Sequence, residues 1–172
     1  MITDLVQIKR LGDRDRADNE RLRKHLKTHP IAERILRRTA VDIEAKIDCQ
    51  TCANCCRQST VRLTERDIER LIKALRLKKS RVIDEYTLPS EEEGIILKRD
   101  DENGCVFLNG NECLIYEDRP DICRDYPHLV RGPGSLIARM WHMPERASVC
   151  PIVYNTLEAY KQASDFPKKV GG

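Results

Sequence analysis

The sequence predicts a small, mainly helical α+β domain, stabilised by bound metal and carrying a short β-hairpin. Three observations lead to that class. Apolar residues recur at helical spacing through much of the first half, two short apolar runs flank Asn109-Gly110, and eight cysteines are spread through 172 residues.

The elements follow in chain order. Residues 13–28 are polar and helix-compatible, closing near Thr28-His29-Pro30. A second helix is expected to start at Pro30, whose fixed φ suits a first helical position. Its apolar stripe is Ile31, Ile35, Leu36, Ile43 and Ile47, and it leads the chain to Cys49. "LTERDIERLIKAL" predicts a helix capped by Thr64, with Ile68, Leu71, Ile72 and Leu75 on one face. A shorter helix after Ser80 would turn Val82, Ile83 and Tyr86 inward. "GIILK" (94–98) reads as a strand, and "CVFLNGNECLIY" as a hairpin that brings Cys105 and Cys113 near each other on adjacent strands. "EDRPDICRDYP" predicts one or two helical turns from Pro120 to before Pro127, and "RGPGS" (131–135) a loop. "CPIVYNTLEAYKQA" predicts a last helix with Cys150 at its N-cap and Pro151 in its first turn. No repeat or linker divides the chain. The expected organisation is a basic helical N-terminal extension over residues 1–47, packed on a cysteine-cluster metal-binding domain over residues 48–172.

With 34% charged residues and a mean hydropathy of -0.56, the chain reads as soluble. No apolar run approaches the roughly 20 residues of a membrane span, so no membrane association is expected. The opening "MITDLVQIKRLGDRDRAD" lacks a basic-then-apolar signal pattern. The expected location is the cytoplasm, where reducing conditions disfavour structural disulfides and clustered cysteines read as metal ligands. Net charge is +3, and residues 1–47 carry a balance of +4. Acids and bases alternate there ("DRDRADNERLRK"), the pattern of a solvated helix face. Nucleic acid is therefore the lesser expectation as a partner, and a protein or redox partner the greater.

The chemistry-bearing feature is "CQTCANCC" at residues 49–56, with four of the eight cysteines in eight residues. Thiolates are soft anionic donors that suit zinc and iron–sulfur clusters. Cys49, Cys52 and Cys55 form C-x2-C-x2-C, the opening of a ferredoxin-type [4Fe–4S] site, and Cys150-Pro151 has the form of its distant completing ligand. Adjacent side chains diverge, so Cys55 and Cys56 do not fill equivalent positions around one ion. One of them serves a second centre, bridges two metals or stays free. Cys56 with Cys105, Cys113 and Cys123 makes a second set of four, and the division between sites is left open. Four thiolates around Zn2+ or an oxidised cluster leave a charge of about -2, which calls for nearby cations. Arg57, Arg119 and Arg124 are the cofactor-binding candidates for that role, with a grip on an anionic substrate as the alternative. A catalytic thiol or redox disulfide is the minor reading, since no thioredoxin-like βαβ pattern surrounds the motif.

Among other residues, His25 and His29 straddle a helix end and read as surface, and His128 and His142 as packing or surface residues, with metal ligation as their minor reading. Trp141 reads as core or interface, and Glu91-Glu92-Glu93 as a solvated loop. No Ser-His-Asp set, catalytic carboxylate pair or phosphate loop stands out, so no catalytic residue is named.

The blocks "CQTCANCCR", "VRLTERDIERL" and "GCVFLNGNECLIYEDRPDICRDYP" resemble the YkgJ-type cysteine-cluster family, also called the CxxCxxCC family of zinc- or iron-chelating domains. The resemblance covers roughly residues 49–127, with Cys150 as a late ligand. It implies Cys49, Cys52, Cys55, Cys56, Cys105, Cys113 and Cys123 as chelating residues. A related domain occurs in flagellin lysine N-methylases, where an iron–sulfur cluster accompanies S-adenosylmethionine-dependent methyl transfer. This chain is much shorter and lacks a Gly-rich nucleotide loop after a strand, so methylation is not carried over as the main reading. The leading expectation is a [4Fe–4S] protein acting in electron transfer or as a redox or methyl-transfer component, compatible with an oxidoreductase or an accessory role. The alternative is a non-catalytic zinc module that folds on metal and binds a protein or nucleic acid. Metal delivery is a third.

Overall fold

Among the described residues 59% are helical, and three two-stranded antiparallel sheets supply the strands. The computed structural model describes residues 1–164 and 166, with the backbone alone for residues 30–32. Three helices open the order: α1 (Leu5–Arg14), α2 (Arg16–Thr28) and α3 (Pro30–Glu44). Two short helical turns follow, α4 (Cys49–Cys52) and α5 (Asn54–Gln58), then α6 (Glu65–Leu75) and α7 (Lys79–Tyr86). Three hairpins come next: β1 (Thr87–Ser90) with β2 (Gly94–Leu97), β3 (Arg99–Asp100) with β4 (Gly104–Cys105), and β5 (Leu108–Asn109) with β6 (Glu112–Cys113). A 3₁₀ turn at Tyr116–Asp118 leads to α8 (Asp121–Asp125), α9 (Leu136–Arg139), α10 (Met143–Arg146) and α11 (Pro151–Ala163). Among the described residues no helix is long and apolar enough to cross a membrane.

The chain forms two compact units, Met1–Asp48 with Tyr126–Gly172, and Cys49–Asp125. In the first, Leu36, Ala40 and Ile43 line the buried face of α3. Ile35 is 43% exposed, so the stripe runs through Ala40 instead; the side chain of Ile31 lies outside the described residues. The first turns of α11 are buried on every side, from Pro151 to Leu157. Asn155 accepts from the Ile2 amide at 2.8 Å and donates to the Ile2 carbonyl at 2.6 Å, pinning the first residues to α11. The buried Lys161 ammonium has the partners such a charge requires: Asp18 at 3.2 Å, the Asn19 amide oxygen at 3.0 Å, and Glu158. Trp141 is not a core residue. It stands 63% exposed with the Arg23 guanidinium 4.3 Å from its ring centroid.

In the second unit, Thr64 and Asp67 make a capping box at the start of α6, each side chain bonding the other's backbone amide. Ile68 and Leu71 then point into a core with Val61, Leu63, Val82, Leu97, Phe107 and Ile115. Ile72, Leu75, Ile83 and Tyr86 pack against it as the periodicity predicts, and Tyr86 stacks on Phe107 with ring centroids 5.0 Å apart. Glu91, Glu92 and Glu93 form the exposed turn between β1 and β2.

The expected hairpin is shorter and differently placed. Leu108 pairs with Cys113 and Asn109 with Glu112, so the turn residues are Gly110 and Asn111, with Gly110 at φ 60. Cys105 belongs to the preceding ladder, opposite Arg99. The reason is local competition for the "CVF" segment. The Val106 amide bonds back to the Lys98 carbonyl at 3.0 Å while Phe107 is buried in the core, so the chain pairs backward before it pairs forward.

Candidate metal centre

Seven of the eight cysteines lie in the Cys49–Asp125 unit, each placed by an identifiable contact. The C-x2-C-x2-C-C motif is not one continuous helix. It breaks at Ala53, whose φ of 47 and ψ of 14 are left-handed, so α4 carries Cys49 and Cys52 while α5 carries Cys55 and Cys56. The Ala53 amide still closes the first turn on the Cys49 carbonyl at 2.9 Å.

Gly104 brings the next cysteine alongside. A Cβ there would stand 2.8 Å from both the Arg57 Cα and the Cys56 carbonyl oxygen, and its φ is +81. Only glycine permits that approach of backbone to backbone, and Cys105 follows it directly. Arg99, opposite Cys105, donates from Nη1 to the Gln58 carbonyl and from Nη2 to the Arg57 carbonyl, each at 2.9 Å, closing the end of α5. The short β5–β6 ladder places Cys113.

Cys123 is placed by Asp67, a residue the sequence reading did not single out. Its carboxylate accepts from the Thr64 amide at 2.8 Å, the Thr64 hydroxyl at 2.6 Å and the Asp121 amide at 3.0 Å. Arg70 bridges Asp67 and Asp121. The start of α8, two residues before Cys123, is thereby fastened to α6. Burial alone would push the Asp67 carboxyl up, but the Thr64, Asp121 and Arg70 donors outweigh it and hold the group below the usual carboxylate range.

The electrostatics tie four of the thiols together. A hydrogen bond with Cys55, acting against burial and assisted by the charges of Arg119 and Arg57, lowers Cys56 to about 7. Burial pushes Cys105 up to about 11, and neighbouring Cys56 and Cys113 add to the rise. Cys113 is raised by burial and by Cys56. Burial and the combined repulsion of Cys105, Cys56 and Cys113 push Cys123 up to about 12. Cys56, Cys105, Cys113 and Cys123 are thus one neighbourhood, drawn from α5, β4, β6 and α8. Cys49 is exposed and Cys52 and Cys55 are half-buried on the adjoining turns.

The three arginines separate by what they touch. Arg119 donates through Nε to the Tyr116 carbonyl at 2.6 Å and lies 3.4 Å from the Tyr116 ring centroid. Its charge favours the ionised form of Cys56, Cys113 and Cys123 alike. Arg57 donates to the carbonyls of Cys52 at 3.1 Å and Gly110 at 2.7 Å and to the Asn111 side-chain oxygen at 2.5 Å. Arg124 is exposed and donates to the Glu117 carbonyl.

Cys150 caps α11 in the other unit and is buried in that unit's apolar core. All four histidines also belong to that unit. His25 and His29 stack with ring centroids 3.9 Å apart at the end of α2, His142 is exposed, and His128 is buried.

Among the described residues no three His, Cys, Asp or Glu side chains stand close enough to hold an ion, so the four sulfurs are neighbours rather than a closed coordination shell. Their chemistry nevertheless fits a metal. Half-buried sulfurs that oppose one another's ionisation gain from a divalent cation, which favours the thiolate form of all of them together. A donor set made of thiols selects zinc or iron over magnesium or calcium. Bound there, such an ion would link four chain segments and offset the negative charge beside Arg119.

No curated protein and no solved structure matches the chain. Residues 48–151 match a family model described as "Putative zinc- or iron-chelating domain". That span begins one residue before Cys49, includes every cysteine and ends just after Cys150, and the C-x2-C-x2-C-C signature of its name is the segment running from α4 into α5: the chain belongs to the CxxCxxCC family of zinc- or iron-chelating domains.

Proposed function

We propose that this protein holds one zinc or iron ion on Cys56, Cys105, Cys113 and Cys123, with Arg119 as the neighbouring cation. The observation that carries the reading is that Cys105, Cys113 and Cys123, from segments far apart in sequence, pack on one core with the Gly104 backbone against Cys56, whose charge opposes the ionisation of the other three. The ion supplies a crosslink between α5, two hairpins and α8, and positive charge where burial disfavours thiolates. Cys49, Cys52 and Cys55 favour a second reading, because their C-x2-C-x2-C spacing is that of a [4Fe–4S] ligand set. In that reading the protein passes electrons to a redox partner or serves as a component of a redox or methyl-transfer system. In the first it binds or supplies a protein partner as a zinc module.

The test is anaerobic purification followed by measurement of iron, zinc and acid-labile sulfide per chain. Stoichiometric zinc or iron without sulfide, lost in single Cys→Ser variants of the four named residues, supports the first reading. A brown protein with sulfide, whose visible band bleaches with dithionite and whose cluster needs Cys49, Cys52 and Cys55, supports the second. A chain without metal in either form overturns both.

A further inference from the structure

The turn that opens the cysteine motif is tethered by side chains distant in sequence. The last carbonyls of a helix lie beyond its own hydrogen-bond ladder and call for outside donors. For α4 those donors come from the β5–β6 turn and from α5. Asn111 Nδ2 donates to the Thr51 carbonyl at 3.0 Å, and Arg57 Nη1 donates to the Cys52 carbonyl at 3.1 Å. The two side chains are also joined to each other, with Arg57 Nη2 donating to Asn111 Oδ1 at 2.5 Å and to the Gly110 carbonyl at 2.7 Å. The next residue along the chain is Ala53, left-handed at φ 47, a conformation that residues with a Cβ avoid. Tether and backbone strain therefore fall on the successive residues Thr51, Cys52 and Ala53, just before the second two cysteines.

We propose that Asn111 is a positioning residue for the chelating segment. With Arg57 it latches the Cys49–Cys52 turn to the β5–β6 turn, and Ala53 is the hinge about which that turn moves when the latch opens. This rests on the second reading, in which Cys49, Cys52 and Cys55 are metal ligands. Its consequence is control of exchange. Latched, Cys49 and Cys52 stay beside the hairpin that carries Cys113. Unlatched, their turn can leave without disturbing the core around Ile68 and Phe107.

The test uses the full chain with Asn111→Ala and Asn111→Asp. Asn111 is exposed in a turn, and Asp keeps the acceptor for Arg57 while removing the donor to Thr51. In the protein as purified, hydrogen exchange at the Ala53 amide is expected to speed about tenfold in Asn111→Ala, and less in Asn111→Asp. The Ile68 amide, bonded to the Thr64 carbonyl at 3.0 Å, is expected to be unchanged. Equal rates at Ala53 in all three proteins, or parallel acceleration at Ile68, overturn the latch. In the metal-loaded protein, transfer of the bound metal to a chromophoric chelator is expected to be about tenfold faster in Asn111→Ala. Equal transfer rates overturn the link to exchange. A wild-type chain that takes up no metal overturns the chelation reading, and the hydrogen-exchange comparison then still decides the latch.

Discussion

In the unit formed by Met1–Asp48 and Tyr126–Gly172, eighteen of the described residues make one buried apolar cluster, whereas in Cys49–Asp125 eight do. The larger cluster includes Ile8, Leu22, Leu36, Leu129, Leu136 and Met140, all with no exposed surface. At roughly 1.5–3 kcal/mol for each large apolar side chain buried, this unit has a conventional source of stability. The smaller cluster has Cys105, Cys113 and Cys123 packed along it, and its short strands are held by arginine and asparagine side chains bonded to backbone carbonyls. The difference teaches where metal matters. A unit short of apolar area gains most from a crosslink between its segments, as small metal-bound domains do.

Stripping metal with a strong chelator is expected to have the largest effect, because structural zinc sites carry on the order of 10 kcal/mol of apparent binding energy. Hydrogen exchange should show lost protection at Ile68 and Leu97 and retained protection at Tyr154. Uniform loss would break the comparison. The affinity for Zn2+ should depend steeply on pH. Cys105, Cys113 and Cys123 have raised values and are protonated at neutral pH, so binding releases about three protons, and Cys56, near 7, contributes part of a fourth. Affinity therefore rises with pH, by between about a thousandfold and ten-thousandfold per unit between pH 6 and 7, readable in competition titrations.

Leu136→Ala is expected to destabilise the protein by about 2–5 kcal/mol in thermal or denaturant unfolding, with unchanged metal stoichiometry, since it empties a buried site of the larger core. Asp67→Asn should cost about 1–3 kcal/mol and weaken metal binding, because Asp67 fastens the start of α8. The carboxyl's folded value is depressed, so its contribution is present above the unfolded value near 4 and is lost as pH falls below it. Asp67→Asn should accordingly flatten the acid side of the stability profile. Trp141→Ala should be the mildest change, about 1 kcal/mol or less, because the exposed ring gives up its contact with Arg23. A larger loss would show that Trp141 is a structural anchor.

The helices α3, α6, α7, α8 and α11 were legible because their signals are local. Pro30, Thr64, Pro120 and Pro151 mark starts, and apolar spacing marks the buried faces. Helices α1, α9 and α10 were not, since α9 and α10 have only four residues each and α1 contains Gly12, a residue that disfavours helix interiors. The hairpin turn was visible to within a residue. Its ladder was not, because the backbone bond from Val106 to Lys98 competes for the same segment.

For the centre, side-chain chemistry alone established the donor type. Eight cysteines with half of them in C-x2-C-x2-C-C point to thiolate chelation wherever the chain folds them, because soft anionic donors at that density have few other uses. Tertiary structure decided which of them are neighbours. The approach of Gly104 to Cys56, the bond from Asp121 to Asp67 and the latch from Asn111 to Thr51 join residues about fifty or more positions apart. Tertiary structure likewise put Met1–Asp48 with Tyr126–Gly172 in one unit, with Asn155 pinning Ile2 across 153 positions. Residue types and local spacing state what a segment can bind, whereas pairing across such separations depends on how the whole chain buries its apolar surface.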